Sequence, residues 1–185
     1  MKKLICVLIP FIITACASRI NGGGGLYESS THHFAVDIPA GWVQLNTDKY
    51  LMLSKEDPFL QYVLIQARPI DKPFKHTRKK LKPRMLPQEA AEIILDEISS
   101  DRNVVNFALV ENIPVSLDGY DAFKVIFTYS TENSLNLKTI YYGLLSQERF
   151  YNIRYTAVEK YYFKRDIEAF EAILNSFKLH DAPAG

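Results

Sequence analysis

The sequence predicts an α+β domain: an antiparallel sheet of about six to seven strands with helices packed on it. Three observations carry this. Asp118-Gly119 lies between runs of alternating apolar and polar residues, the strongest short-range signal for a hairpin. The runs that follow are joined only by short polar turns, which fits antiparallel pairing and is too little chain for parallel crossovers. Two other segments repeat their apolar residues every three or four positions, as helices that cover a sheet do.

The elements follow in chain order. Phe34, Val36 and Ile38 alternate with Ala35 and Asp37, a strand pattern that Pro39-Ala40-Gly41 ends just before Trp42. Tyr50 to Ser54 reads as a second strand. Leu60 to Ala67 reads as a third, apolar on both faces and therefore central. The stretch 68–84 holds Pro69, Pro73 and Pro83, which argues against a continuous helix there. A helix then starts at Pro87, with Glu89 and Glu92 near its positive end and Ala91, Ile94, Leu95 and Ile98 on one stripe. Ser99-Ser100-Asp101 and Asn103 close it.

Beyond the Asp118-Gly119 turn, Phe123, Val125, Phe127 and Tyr129 share one strand face, and Lys124, Ile126, Thr128 and Ser130 share the other. The polar turn 131–136 leads to a strand over 137–146. Gln147-Glu148 turns it into another over 149–157, with Tyr151, Ile153, Tyr155 and Ala157 on one face. The last element reads as a helix from about Glu159 to Lys178, because Phe163, Ile167, Phe170, Leu174 and Phe177 step by four, three, four and three. Residues 180–185 read as a tail.

The N-terminal end carries a different kind of signal. Lys2 and Lys3 precede an apolar run from Leu4 to Ile13, and Ile13-Thr14-Ala15-Cys16 follows. That order predicts a secretory signal over 1–15 whose cleavage leaves Cys16 first. The run is too short, and too interrupted by Pro10, for a spanning helix of about 20 residues. The tetrapeptide resembles the lipobox of bacterial lipoproteins, although leucine is commoner where Ile13 stands. The resemblance implies a diacylglyceryl thioether on Cys16 and, usually, an acyl chain on its amine. Two or more chains anchor a protein stably where one does not. Residues 16–32, with their run of glycines, read as a lipidated cysteine and flexible tether, and 33–179 as one domain. Asp is absent from the positions after Cys16, so the resemblance also implies sorting to the periplasmic face of the outer membrane in a Gram-negative cell.

Cys6 and Cys16 are the only cysteines. With Cys6 cleaved off and Cys16 lipidated, the domain keeps no thiol for a disulfide or a thiolate metal site, so its apolar core must hold it together. The charge is unevenly placed. Residues 68–84 hold eight basic residues and one acid, whereas the whole chain has a formal charge of only +1. Arg68, Lys72, Lys75, Arg78, Lys79, Lys80, Lys82 and Arg84 are therefore the candidate contacts for a phosphate- or carboxylate-bearing envelope component. The bland account of the same residues is a solvated connection.

Phe34-x-x-Asp37-Ile38-Pro39-x-Gly41-Trp42, the Asp118-Gly119 hairpin before two aromatic strands, and Phe170-x-x-Ile173-Leu174-x-Ser176-Phe177 together resemble the PsbP-like superfamily. That group includes photosystem subunits, Ran-binding factors of the Mog type and bacterial DcrB-like lipoproteins. The resemblance implies an α/β/α sandwich and a binding or accessory role. The basic connection is longer than the family's core requires.

Catalytic chemistry finds little support. His32-His33 are neighbours on an extended segment and point to opposite faces, so they cannot easily clasp one ion, and neither a metal nor a cofactor is expected. Ser29, Ser30 and Thr31 stand beside them without a Gly-x-Ser-x-Gly elbow, and His76 and His180 lie far off in sequence. Tyr141, Tyr142, Tyr151, Tyr155, Tyr161 and Tyr162 read as core and sheet-face residues, with an exposed aromatic surface for a protein partner as the functional alternative. The expectation is a non-enzymatic envelope lipoprotein that meets the membrane through its lipid and another envelope component through its domain, with no nucleic-acid partner. The alternatives are an enzyme of unrecognised type and a structural subunit of an envelope assembly.

Overall fold

The computed structural model describes residues 23–45, 47 and 49–180, and these form two antiparallel sheets and two helices. Cys16 and the whole of 1–15 lie outside the described residues. The strands are β1 (Gly25–Ser29), β2 (Phe34–Ile38), β3 (Val43–Leu45), β4 (Leu51–Ser54), β5 (Gln61–Pro69), β6 (Val105–Leu117), β7 (Tyr120–Ser130), β8 (Asn136–Ser146), β9 (Arg149–Val158) and β10 (Lys178–Leu179); the helices are α1 (Pro87–Ser99) and α2 (Ile167–Ser176). The larger sheet has seven strands in the order β3-β4-β5-β9-β8-β7-β6, and the smaller has β1-β2-β10.

The hairpin that anchors the large sheet forms as its residues predict. Asp118 and Gly119 both take positive φ, 50° and 80°, the left-handed pair that a two-residue turn between twisted strands requires. β6, at the sheet edge, carries two irregularities in register and Pro114, features that blunt an open edge against further pairing. In the centre, β5 and β9 pair along nine residues, from Gln61 with Ala157 to Pro69 with Arg149.

The alternation of strand residues splits the core into two layers. On one face Val63, Ile65, Ile153, Tyr155 and Ala157 pack against α2 and the small sheet, with Trp42, Phe34 and Val36 buried among them. Phe170 of α2 stacks on Tyr155 with ring centroids 5.4 Å apart. On the other face Phe123, Val125, Phe127, Tyr141 and Phe150 meet Ala90, Ala91 and Ile94 of α1. Pro87 opens α1 at a position where no N–H is needed, and the Glu89 carboxylate accepts the Leu86 N–H at 3.0 Å.

Three expectations are corrected. The last helix starts at Ile167, not near Glu159. The Tyr155 hydroxyl bonds the carbonyl oxygens of Tyr162 and Phe163, and these carbonyls are the ones a longer helix would use. The helix also stops at Ser176, because Phe177 is already extended and leads into β10.

Part of the stretch read as a tether is a strand, since β1 pairs with β2 from Gly25 to Ser29. The glycines have a structural use here. At Gly24, φ is +74° and a Cβ would lie 2.8 Å from the Ile38 carbonyl oxygen, so only glycine allows that approach.

His32 and His33 sit in the β1–β2 turn, not on a strand. His33 has a φ of 56° and its carbonyl accepts the His180 N–H at 2.9 Å.

Candidate functional site

The connection between β5 and α1 is bound tightly to the domain. Ile70, Phe74 and Leu81 are buried in the core layer under α1. The Leu81 N–H donates to the Ile70 carbonyl at 3.2 Å and the Phe74 N–H to that of Lys79 at 2.9 Å, closing the segment on itself. Glu97 of α1 then staples it from the side, accepting the N–H groups of His76 at 3.0 Å and Thr77 at 2.8 Å and the Thr77 hydroxyl at 2.9 Å. Burial alone would raise the Glu97 pKa, but the donors on Thr77 and His76 outweigh it and hold the carboxyl below its usual range.

The predicted contact residues take three different places in this connection. Arg68 turns inward: its guanidinium lies 3.9 Å over the Phe74 ring and donates to the carbonyls of Pro73, at 3.2 Å, and Lys72. It supports the connection from within. Lys79 pairs with Asp96 at 2.8 Å. Lys72, Lys75, Arg78, Lys80, Lys82 and Arg84 are exposed and, among the described residues, join no ion pair. Arg78 and Arg84 hold left-handed φ values of 61° and 60°, which a β-carbon disfavours. The tight packing of the segment maintains these turns against that cost.

A second site was not visible as a motif. α1 lies mainly over β6, β7 and β8, and the adjoining part of the same sheet face, around Tyr62, Gln66 and Arg154, forms the floor of a cleft beside it. The cleft, of about 820 Å³, is bounded by the C-terminal end of α1, the 131–133 turn and the Lys75-His76 segment. Its floor comes from Tyr62 and Gln66 of β5, Arg154 and Thr156 of β9, Thr139 of β8, and Phe127 and Tyr129 of β7. The hydroxyls of Thr139 and Thr156 bond each other at 2.9 Å.

Arg154 is the unusual member. Its strand neighbours are Leu64 on β5 and Tyr141 on β8. Its Nε is buried and meets no hydrogen-bond acceptor, and among the described residues it has no acidic partner. The Tyr62 ring centroid lies 5.7 Å from its Cζ. Burial disfavours the charge, and the phenol groups of Tyr62, Tyr141, Tyr129 and Tyr50 favour it only once they ionise at high pH, which leaves the pKa above the ordinary guanidinium value and the side chain a cation at physiological pH. Burial likewise pushes the Tyr129 and Tyr141 phenols up, so both are neutral at physiological pH. Two of the three acids on the cleft wall are engaged elsewhere. Glu97 holds the connection, and Asp101 accepts the Asn103 N–H at 3.0 Å and faces His76 Nε2 at 3.4 Å.

The tyrosine-rich end divides between core and surface. Tyr141, Tyr151 and Tyr155 are buried, Tyr142 and Tyr162 are half-buried, and Tyr161 is 67% exposed. Alternation puts Arg154 on the strand face opposite Tyr151, Ile153 and Tyr155, and by itself marks no site there. The signal that could have found it was tyrosine at 141 on the neighbouring strand and at 129 on the strand beyond.

No protein-family model matches the chain, and no curated protein matches it in sequence. Solved structures do match in shape. The cyanobacterial PsbP protein of Synechocystis sp. PCC 6803 superposes with a TM-score of 0.63 at 9% identity, covering 91% of this chain and 99% of its own. A mutant form of the protein Mog1 gives 0.57 at 8% identity, over 85% and 96% of the two chains. LpqN of Mycobacterium tuberculosis, described as involved in cell envelope biogenesis, gives 0.50 at 12% identity over 85% of each. The chain therefore has a PsbP-like fold.

Proposed function

We propose that this chain is a lipid-anchored, non-enzymatic binding protein of the cell envelope, whose basic connection meets an anionic envelope component. The observation that carries the reading is the set of six exposed cations, Lys72, Lys75, Arg78, Lys80, Lys82 and Arg84, on a segment that its own buried residues hold in place. A cation on a fixed backbone loses less entropy on contact than one on a loose loop. Near an anionic surface each Lys or Arg contributes about 1 kcal/mol, so several together produce binding at physiological salt.

The signal order around Cys16 supports the anchor, and no helix among the described residues is long and apolar enough to cross a membrane. LpqN, a structural neighbour described in terms of the cell envelope, supports the compartment. In a Gram-negative cell the domain would then face the periplasm from the outer membrane.

The test has two parts. Expressed in its host, the wild-type chain partitions with membranes and Cys16→Ser does not; equal partitioning of the two removes the lipid anchor from the proposal. The soluble Cys16→Ser chain lacking residues 1–15 should bind vesicles containing phosphatidylglycerol more than neutral phosphatidylcholine vesicles, and less so as salt rises. Replacing Lys80, Lys82 and Arg84 by Gln should abolish the difference. Binding that ignores lipid charge, salt and these three residues overturns the electrostatic contact.

A further inference from the structure

We propose that the cleft beside α1 binds a small molecule carrying a carboxylate and an apolar body, with Arg154 as the carboxylate receptor. The inference does not need the outward cations at 78–84, and the basic connection reaches this cleft only through Lys75 and His76.

The argument begins with what Arg154 lacks. An ionised side chain taken partly out of water is retained only when something compensates it, and the usual compensation is an acid. Here the neighbours within the chain are phenols, of which Tyr129 and Tyr141 are neutral at physiological pH, and the Nε–H remains buried with no acceptor. A carboxylate entering the cleft would supply the opposite charge that the guanidinium lacks within the chain, in the planar geometry that it matches best.

The surroundings select the rest of the ligand. The cleft, at about 820 Å³, lies in the range of small-molecule sites, and Phe127, Ile98 and the Tyr62 and Tyr129 rings give it an apolar wall. Glu97, Asp101 and Glu132 stand at the same cleft, so a dianionic phosphate would meet repulsion that a single carboxylate, seated at Arg154, largely avoids. With Arg154 and Lys75 set against three acids, the lining favours a monoanion over a dianion.

The measurement is a titration of the soluble chain, followed by the Arg154 Nε–H resonance in nitrogen-15 NMR. The probes are 3-phenylpropanoate, indole-3-acetate and decanoate, each compared with its corresponding alcohol, together with phenyl phosphate. The expected result is a saturable shift with at least one carboxylate, binding at least tenfold tighter than its alcohol and tighter than phenyl phosphate. Arg154→Met should abolish that binding, read from the remaining cleft resonances, while leaving the melting temperature equal or higher, because an unpaired buried charge has been removed. Replacing Lys80 and Lys82 by Gln should leave the binding unchanged. A flat response of the wild type to all three carboxylates, an equal response to the alcohols, or preference for phenyl phosphate overturns the proposal. So does an Arg154→Met variant that still binds, or one that melts well below the wild type, since the arginine is then a structural residue.

Discussion

Asp166 should make the domain acid-sensitive in a way that one substitution can remove. Its side chain is 5% exposed and bonds Lys55 Nζ at 2.7 Å, Arg165 Nε at 2.7 Å and Gln61 Nε2 at 3.0 Å. Gln61 in turn donates to the Tyr155 hydroxyl at 3.0 Å, so the cluster ties the start of α2 to the sheet. Burial would raise the carboxyl pKa, but the three donors overcome it and hold it at about 2, against 3.8 for a free aspartate. A gap of nearly two pH units corresponds to about 2 kcal/mol. Because the folded pKa is the lower one, that stability is present above pH 4 and disappears as pH falls from about 4 to 2. Asp166→Asn keeps the shape but points an NH₂ at one of three donors, and should cost about 2–3 kcal/mol at pH 7. The assay is urea unfolding of the soluble chain at pH 7, 5, 3.5 and 2.5. The wild type should lose its advantage over Asp166→Asn as the pH drops, until the two nearly coincide. A constant gap between them at every pH would refute the charge-based account of this cluster.

Two packing predictions accompany it. Gly143→Ala places a Cβ 2.3 Å from Phe123 Cζ, and that ring is held between Tyr141 and Phe150 at centroid distances of 6.0 and 6.3 Å, so overpacking should cost about 1–3 kcal/mol, and an unchanged midpoint in urea would show that the ring can move aside. Leu174→Ala removes a side chain that is 8% exposed from the layer between α2 and the sheet and should cost about 2–5 kcal/mol, whereas a wild-type melting curve would mean that layer does not need it.

What was legible in the sequence was what short-range chemistry determines. Asp118-Gly119 announced its turn because few residue pairs tolerate two left-handed positions, and Pro87 with Glu89 marked the start of α1 through local backbone needs. β10 was hidden because a two-residue strand has no pattern; it exists only where Lys178 and Leu179 meet Ala35 and Phe34 from the far end of the chain. α2 was read too long for the opposite reason. Its apolar stripe continues back to Phe163, which is buried, but through a turn that Tyr155 and the Asp166 cluster hold.

The functional residues divide along the same line. Composition exposed the positive charge of 68–84, yet only the fold turns Arg68 under Phe74 and gives Lys79 to Asp96, and so selects which cations face outward. Arg154 follows the logic in reverse. Alternation alone says only which face of β9 it shares, and α1 sets its surroundings by covering one part of that face and ending beside the next. A strand face is normally either packed or solvated. The face around Arg154 is neither: α1 and its flanking turns wall it into a cleft of about 820 Å³, and it holds a charge there with no acidic partner among the described residues. Stability alone would favour a hydrophobic residue or a paired charge at such a position.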